Sequence, residues 1–297
     1  MQAVVVALLM FTAAPDAARA ATAPDCPNGG TVRFGLEPFE AATRLLPAYT
    51  ALVRLLSVKL GCTIELSITS SYNAEIEAMR NGKLDAGEFG PLGYVLAHEV
   101  ARADAVATFG DDSGKPIAYY ASIVSWHGSG VTKLKDVTNR SFAYSDPAST
   151  SGHLFPAYGL RTHGIDPDSG VRPLYAGSHT ASFEAIRNHK VDAGELNSIE
   201  VQSAMDAGEY TPADWVTLWK SVPIPNDALT LRRDLPDGFK RRFEHLLQTL
   251  PFNELSPDVV KVFPAAHTTR LVAMPDSAYD GVRDLVKTLH IDLTKLS

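Results

Sequence analysis

Cysteine is scarce in this chain: its 297 residues include two, Cys26 and Cys62. Two thiols with no suitably spaced histidines argue against a zinc site. They either form a disulfide in an oxidising compartment or stay separate, one of them in the Gly61-Cys62-Thr63 turn; sequence cannot supply the close approach a bridge requires. Basic charge is also short. The net charge is −7, the pI is about 5.7, and no Lys/Arg run stands out, which argues against nucleic acid as a partner. No run after the first twenty residues is long and apolar enough for a membrane helix. No Gly-x-Ser-x-Gly elbow, P-loop or His-Glu-x-x-His is present, so none of these routes to catalysis is expected. Hydrophobic content of 45% and charged content of 21% are ordinary for a soluble globular protein, and the length invites two domains.

The first twenty residues differ from the rest. The apolar VVVALLM is followed by FTAAPDAARA, and Ala18-Arg19-Ala20 fits a small-x-small cleavage site. Residues 1–20 therefore read as a signal peptide, with a mature chain starting near Ala21. Met1-Gln2-Ala3 carries no Lys or Arg, which leaves the start codon open.

EAMRNGKLDAGEFG, residues 77–90, is echoed as EAIRNHKVDAGELN, residues 184–197. A single duplication at this spacing predicts two similar lobes. Strands are expected at Thr31–Leu36, within CTIELSIT and at Leu84–Ala86, with helices over 43–60 and 73–81. This strand–helix alternation predicts an α/β fold with a parallel sheet flanked by helices on both faces. The second half repeats the rhythm, with strands at 119–125 and 141–144, a helix after Gly152, and helices over 237–250 and 278–290. No low-complexity segment divides the chain, so short crossing strands are expected to join the lobes. Asp85 and Asp192 of the repeat read as turn-fixing residues. The loops after each copy, Glu88–Pro91 and Glu195–Ser198, lie beyond strand carboxyl ends, where ligands sit in such sheets.

The site candidates cluster in three places. Tyr144-Ser-Asp-Pro-Ala-Ser-Thr-Ser-Gly152 puts Ser149, Thr150 and Ser151 at a helix start. Exposed N–H groups and the helix dipole suit a tetrahedral oxyanion there; plain capping needs only one hydroxyl. His179, in Gly177-Ser178-His179-Thr180, is either a donor to that anion or a surface histidine of a capping loop. Asp227, in Ile224-Pro225-Asn226-Asp227, either stabilises its turn or accepts a proton from a P–OH group or a ligand ammonium. Tyr72 and Tyr119 stand at the expected cleft edge, as phenolic donors or as half-buried core aromatics. Trp126 and His127 have no sequence-level account.

Together and in this order, these residues resemble the phosphonate-binding (PhnD-like) family, the periplasmic components of phosphonate and phosphite ABC transporters. The resemblance is carried by Ser67–Tyr72, Asp146-Pro147-Ala148-Ser149-Thr150-Ser151-Gly152, Gly177-Ser178-His179 with Lys190–Gly194, Trp219-Lys220-Ser221, and Ile224–Asp227 with Arg232. It runs over about residues 30–290. It implies a two-lobed Venus-flytrap fold of the type 2 periplasmic binding proteins, with residues 27–118 plus 230–297 as one lobe and 119–229 as the other. It implies a monomer in the periplasm, without cofactor or metal, serving a membrane permease and its ATPase. Ser149, Thr150 and Ser151 would hold the phosphoryl oxygens, His179, Tyr72 and Tyr119 would add donors, and Asp227 an acceptor. Members taking aminoalkyl phosphonates are expected to place a second acid where Ile199 falls here, with Glu195 and Glu200 nearby. That departure favours phosphite, methylphosphonate or hypophosphite. The alternatives are another solute (sulfonate, sulfate or a thiamine precursor) or a sensory module. Asp227 argues against sulfate, which brings no proton.

Overall fold

The computed structural model describes residues 25–265 and 267–291; the signal-peptide reading of residues 1–20 lies outside them. The first half alternates β1 (Thr31–Leu36), α1 (Ala42–Leu60), β2 (Thr63–Ile68), α2 (Tyr72–Arg80), β3 (Ala86–Phe89), α3 (Pro91–Val100) and β4 (Ala103–Gly110). After the short β5 (Ala118–Tyr119) come β6 (Ala121–Trp126), β7 (Ser141–Tyr144), α4 (Phe155–Thr162), β8 (Arg172–Tyr175), α5 (His179–Arg187), β9 (Ala193–Asn197), α6 (Ser198–Asp206) and β10 (Trp215–Lys220). The chain returns through β11 (Ile224–Pro225) to β12 (Ala228–Arg232), α7 (Asp237–Thr249), α8 (Pro257–Val260), β13 (Arg270–Val272) and α9 (Asp280–Thr288).

Two sheets result, ordered β13-β4-β12-β3-β1-β2 and β10-β6-β9-β7-β8, and β5 pairs with β11 where the chain passes between them. The direction is mostly shared. In the first sheet only β12 and β13 oppose β1, β2, β3 and β4; in the second only β6 opposes its neighbours. The opposed β6 and β12 have a common cause. Each arrives from the other lobe through the crossing, so it begins where the local strands end. Ala121 opens β6 opposite Asn197 at the end of β9, and Ala228 opens β12 opposite Phe89 at the end of β3. The carboxyl ends of the local strands and the crossing therefore share one face, where ligands sit in open sheets.

The repeat explains the matching local structure. Ser71 and Ser178 cap α2 and α5 identically, each accepting an N–H three residues on at 3.1 Å. Asn81 and Asn188 close the helices by donating to Glu77 O and Glu184 O at 2.8 and 2.9 Å. Asp85 accepts from Arg33 N at 2.9 Å and Asp192 from Ser141 N at 3.0 Å. Each acid thus staples the turn before β3 or β9 to the neighbouring strand. That is why β3 starts at Ala86 and runs to Phe89, later than the 84–86 expected from sequence. Cys26 and Cys62 form a disulfide, Cα–Cα 5.9 Å, tying the first described residues to the turn after α1. Trp126 finds its role in packing: its ring stacks on His189 at 3.8 Å and its indole N–H donates to Val191 O at 3.1 Å.

Candidate functional site

A cavity of about 40 Å³ lies between the two sheets. Tyr72, Tyr119, Ser149, Thr150, Ser151, His179 and Asp227 all line it, so the structure brings every sequence-predicted site residue to one place. A single water needs roughly 10–15 Å³ on this measure; the space fits a group of a few heavy atoms.

The hydroxyl run is set by the turn after β7. The Asp146 carboxylate accepts Ala148 N–H at 2.8 Å, and Ser149 Oγ caps the next turn by accepting Gly152 N–H at 3.1 Å. One wide π turn, Thr150–Leu154, leads into α4. Gly152 is required, because a Cβ there would collide with Ser145 Oγ. Ser149 is thus the cap, and Thr150 and Ser151 are left for other work. Thr150 Oγ1 accepts Leu92 N–H at 2.7 Å, a bond between the lobes.

His179 opens α5 and is buried. Its Nε2 lies 3.3 Å from Ser149 Oγ, and its Nδ1 lies 3.0 and 3.1 Å from the Glu195 oxygens. Burial alone would lower its pKa. The charge and hydrogen bond of Glu195 outweigh burial and raise it, which favours a ring with both nitrogens protonated. Asp227 hangs from the crossing turn. Its backbone is fixed by Thr108 Oγ1 donating to its carbonyl at 2.7 Å and by its N–H donating to Asn226 Oδ1 at 2.7 Å. Burial, only partly offset by His179, pushes its pKa up to about 7. Tyr72 and Tyr119 are buried, and burial raises both phenols well above the usual range, keeping them as donors.

Sequence reasoning does not reach the other wall. Glu37, Phe39 and Glu40, between β1 and α1, and Arg44 of α1 also line the cavity, beside Gly90 and Asn197 of the loops picked from sequence and the neighbouring Glu200. The rule that picked the loops after β3 and β9 applies equally to the Pro38 loop after β1, and would have found Glu37 and Glu40. Glu37 Oε2 accepts Gly90 N–H at 2.8 Å, and Glu40 pairs with Arg44 at 2.8 Å. Glu200 is raised to about 7 by burial and by Glu40. Further contacts hold the lobes together around the cavity: His179 N–H to Phe39 O at 3.1 Å, and Arg44 to Ser203 Oγ at 2.6 Å. Ile199 lines the cavity as well, so an apolar side chain stands where a second acid was looked for, while Glu195 serves His179.

Two α/β lobes closed on a polar cavity at their crossing define the class of bilobal solute-binding proteins. The chain belongs to the family described as ABC transporter, phosphonate, periplasmic substrate-binding protein, whose model matches residues 34–279. It is 29% identical over 287 residues to the Phosphate-import protein PhnD of Mycolicibacterium smegmatis, covering 90% of this chain and 88% of that one. It is 26% identical over 214 residues to the Phosphonates-binding periplasmic protein of Escherichia coli, covering 70% of this chain and 63% of that one. Its fold matches PhnD1 of Prochlorococcus marinus in complex with methylphosphonate, with a TM-score of 0.77 and 19% identity, over 89% of this chain and 99% of that one. It is a periplasmic substrate-binding protein of the phosphonate ABC transporter family.

Proposed function

We propose that the cavity captures the PO3 group of phosphite, methylphosphonate or a related phosphonate and presents it, by lobe closure, to a membrane permease driven by its ATPase. Thr150, Ser151, the N–H groups of the turn after Ser149, Tyr72, Tyr119 and the His179 ring supply donors. The observation that carries this reading is Asp227. Its carboxylate accepts no hydrogen bond among the described residues, is buried, and is held near neutrality among donors suited to an oxyanion. An acid there needs a proton between itself and the bound oxygen, and a P–OH group or the acid itself provides one.

A binding role also fits better than catalysis. Ser149, His179 and Glu195 form a hydrogen-bonded line, yet Ser149 Oγ is engaged as a helix cap, accepting Gly152 N–H. The mature chain is taken to be a monomer exported by residues 1–20, with lobes 27–118 plus 230–297 and 119–229 hinging at β5 and β11. Calorimetry against phosphite, methylphosphonate, aminoethylphosphonate, phosphate and sulfate tests the reading. Tight binding of phosphite or methylphosphonate, with sulfate silent, is expected. Sulfate bound as tightly as phosphite, or no heat from any reduced-phosphorus ligand, would reject it.

A further inference from the structure

Outside the oxyanion cavity the cleft opens into a second chamber of about 920 Å³, against about 40 Å³ for the first. The two adjoin: Arg44, Ile199, Ser203 and Lys261 line both. The outer chamber lies between α6 of one lobe and residues 252–265 and 267–269 of the other. Its apolar wall is formed by Phe252, Leu255, Val260, Phe263 and Ala265, all but Val260 buried. The inner cavity offers hydroxyls, N–H groups and titratable acids; the outer sets this apolar wall against polar residues that include Gln202, Asp206, Asn253 and Lys261. At the junction Arg44 is turned aside by Glu40 and Ser203, and the half-buried Ile199 presents an apolar edge. A pocket of this size suits a ligand portion far larger than a methyl group.

We propose that the outer chamber receives the organic substituent of a ligand R–PO3, so that the chain binds phosphoryl compounds whose R is extended and apolar, with the headgroup in the inner cavity. This rests on the function proposed above for that cavity. Such a ligand carries one tetrahedral anionic end and an uncharged tail. A phosphonate, joined through P–C, and a phosphate monoester, joined through P–O–C, share this chemistry. An ammonium on R gains nothing from Ile199.

The test is calorimetry of the mature protein with methyl-, propyl- and hexylphosphonate, and with hexyl phosphate beside hexylphosphonate to separate the two sources. Affinity is expected to rise by up to about fourfold for each methylene buried. A flat or falling series beyond methyl overturns the proposal. Ala207→Trp and Gln202→Trp place a large ring in the chamber from exposed positions on or just after α6. Each should abolish the chain-length gain and leave methylphosphonate affinity within about twofold. Retention of the full gain in both folded variants would put the substituent elsewhere and overturn the assignment. Phosphite and methylphosphonate separate the two levels of inference. If they bind but longer chains gain nothing, only the outer chamber fails; if neither binds, the inner-cavity reading falls and takes this one with it.

Discussion

His179 stands between two oxygens of different kinds, the Glu195 carboxylate on Nδ1 and the Ser149 hydroxyl on Nε2. Glu195 accepts at Nδ1 and raises the pKa of the ring, which favours a second proton on Nε2 that this side can offer to a ligand. Thr150 works differently: its oxygen already accepts Leu92 N–H across the cleft, which leaves its own proton to donate. Removing either donor costs a hydrogen bond to a charged group, roughly 1.5–3 kcal/mol, or about ten- to a hundredfold in affinity. His179→Ala and Thr150→Ala should each show that loss in calorimetry; Thr150→Ala should melt within a few degrees of the parent, whereas His179→Ala also leaves the buried Glu195 without its partner and should melt lower. Unchanged affinity in both would remove them from the site. These residues were legible because three adjacent hydroxyls and a Gly-Ser-His turn are odd choices for plain loops. Glu195 read as part of the repeat and of the cleft-facing loop after it, and as a neighbour of Ile199, but not as a partner of His179. Its orienting role depends on β9 and α5 meeting side by side, a contact sixteen residues apart that no local pattern encodes.

At the scale of the element, the duplicated helix–turn–strand unit was the most readable feature, because its caps and closing asparagines are local. Its acids repay closer comparison. Asp85 is fully buried and gathers Arg33 N, Nε and Nη2 with Asn28 Nδ2 at 2.7–2.9 Å, with Arg232 at 3.5 Å. Asp192 keeps its side chain 23% exposed and relies on Ser141, with Arg140 and Arg172 at 3.9 and 4.0 Å. The same sequence position thus carries unequal loads. Asp85→Ala leaves Arg33 N–H and the half-buried Arg33 and Arg232 guanidiniums without their shared acceptor and should destabilise by about 3 kcal/mol, whereas Asp192→Ala should cost about 1 kcal/mol. Urea unfolding monitored by tryptophan and far-ultraviolet dichroism would measure both; equal losses would refute the distinction. The strand directions were less legible than the unit itself. A strand that returns through the crossing carries no sequence mark of its direction, so β6 reads simply as a strand, and β12 is not picked out from the sequence at all.

On the scale of the whole molecule, the first lobe carries a group of buried acids beneath the cavity. Glu37, Glu75 and Glu88 are all pushed well above the ordinary carboxylate range, first by burial and then by neighbouring acids. Among the described residues, both Glu75 oxygens lack a partner, as do Glu37 Oε1 and Glu88 Oε2. Gly35 and Gly87 make room for them, since a Cβ on either would sit 2.6 Å from Glu75 Oε1. Tyr49 satisfies the remaining Glu88 oxygen at 2.6 Å. Such a group survives burial by holding protons that the unfolded chain releases. The folded state then binds more protons than the unfolded state at any pH above the ordinary glutamate value of 4.5 and below the raised folded values. Stability is therefore fully present below about pH 4.5 as far as these groups are concerned, and falls as pH rises through that window, by up to about 1.4 kcal/mol per pH unit for each extra proton held. Asp227 adds the same sign up to about pH 7. A bound oxyanion adds negative charge beside Asp227 and strengthens its hold on the proton, so ligand affinity should fall with rising pH in step with stability. Melting the ligand-free protein at pH 5, 6.5 and 8 is expected to give a descending series. Glu75→Gln, which removes one of the titrating acids, should flatten that series and raise the melting temperature at pH 8. A parent protein that melts higher at pH 8 than at pH 5, or a variant with an unchanged slope, would mean that these carboxyls are ionised in the folded state and that the cavity is not built on neutral acids.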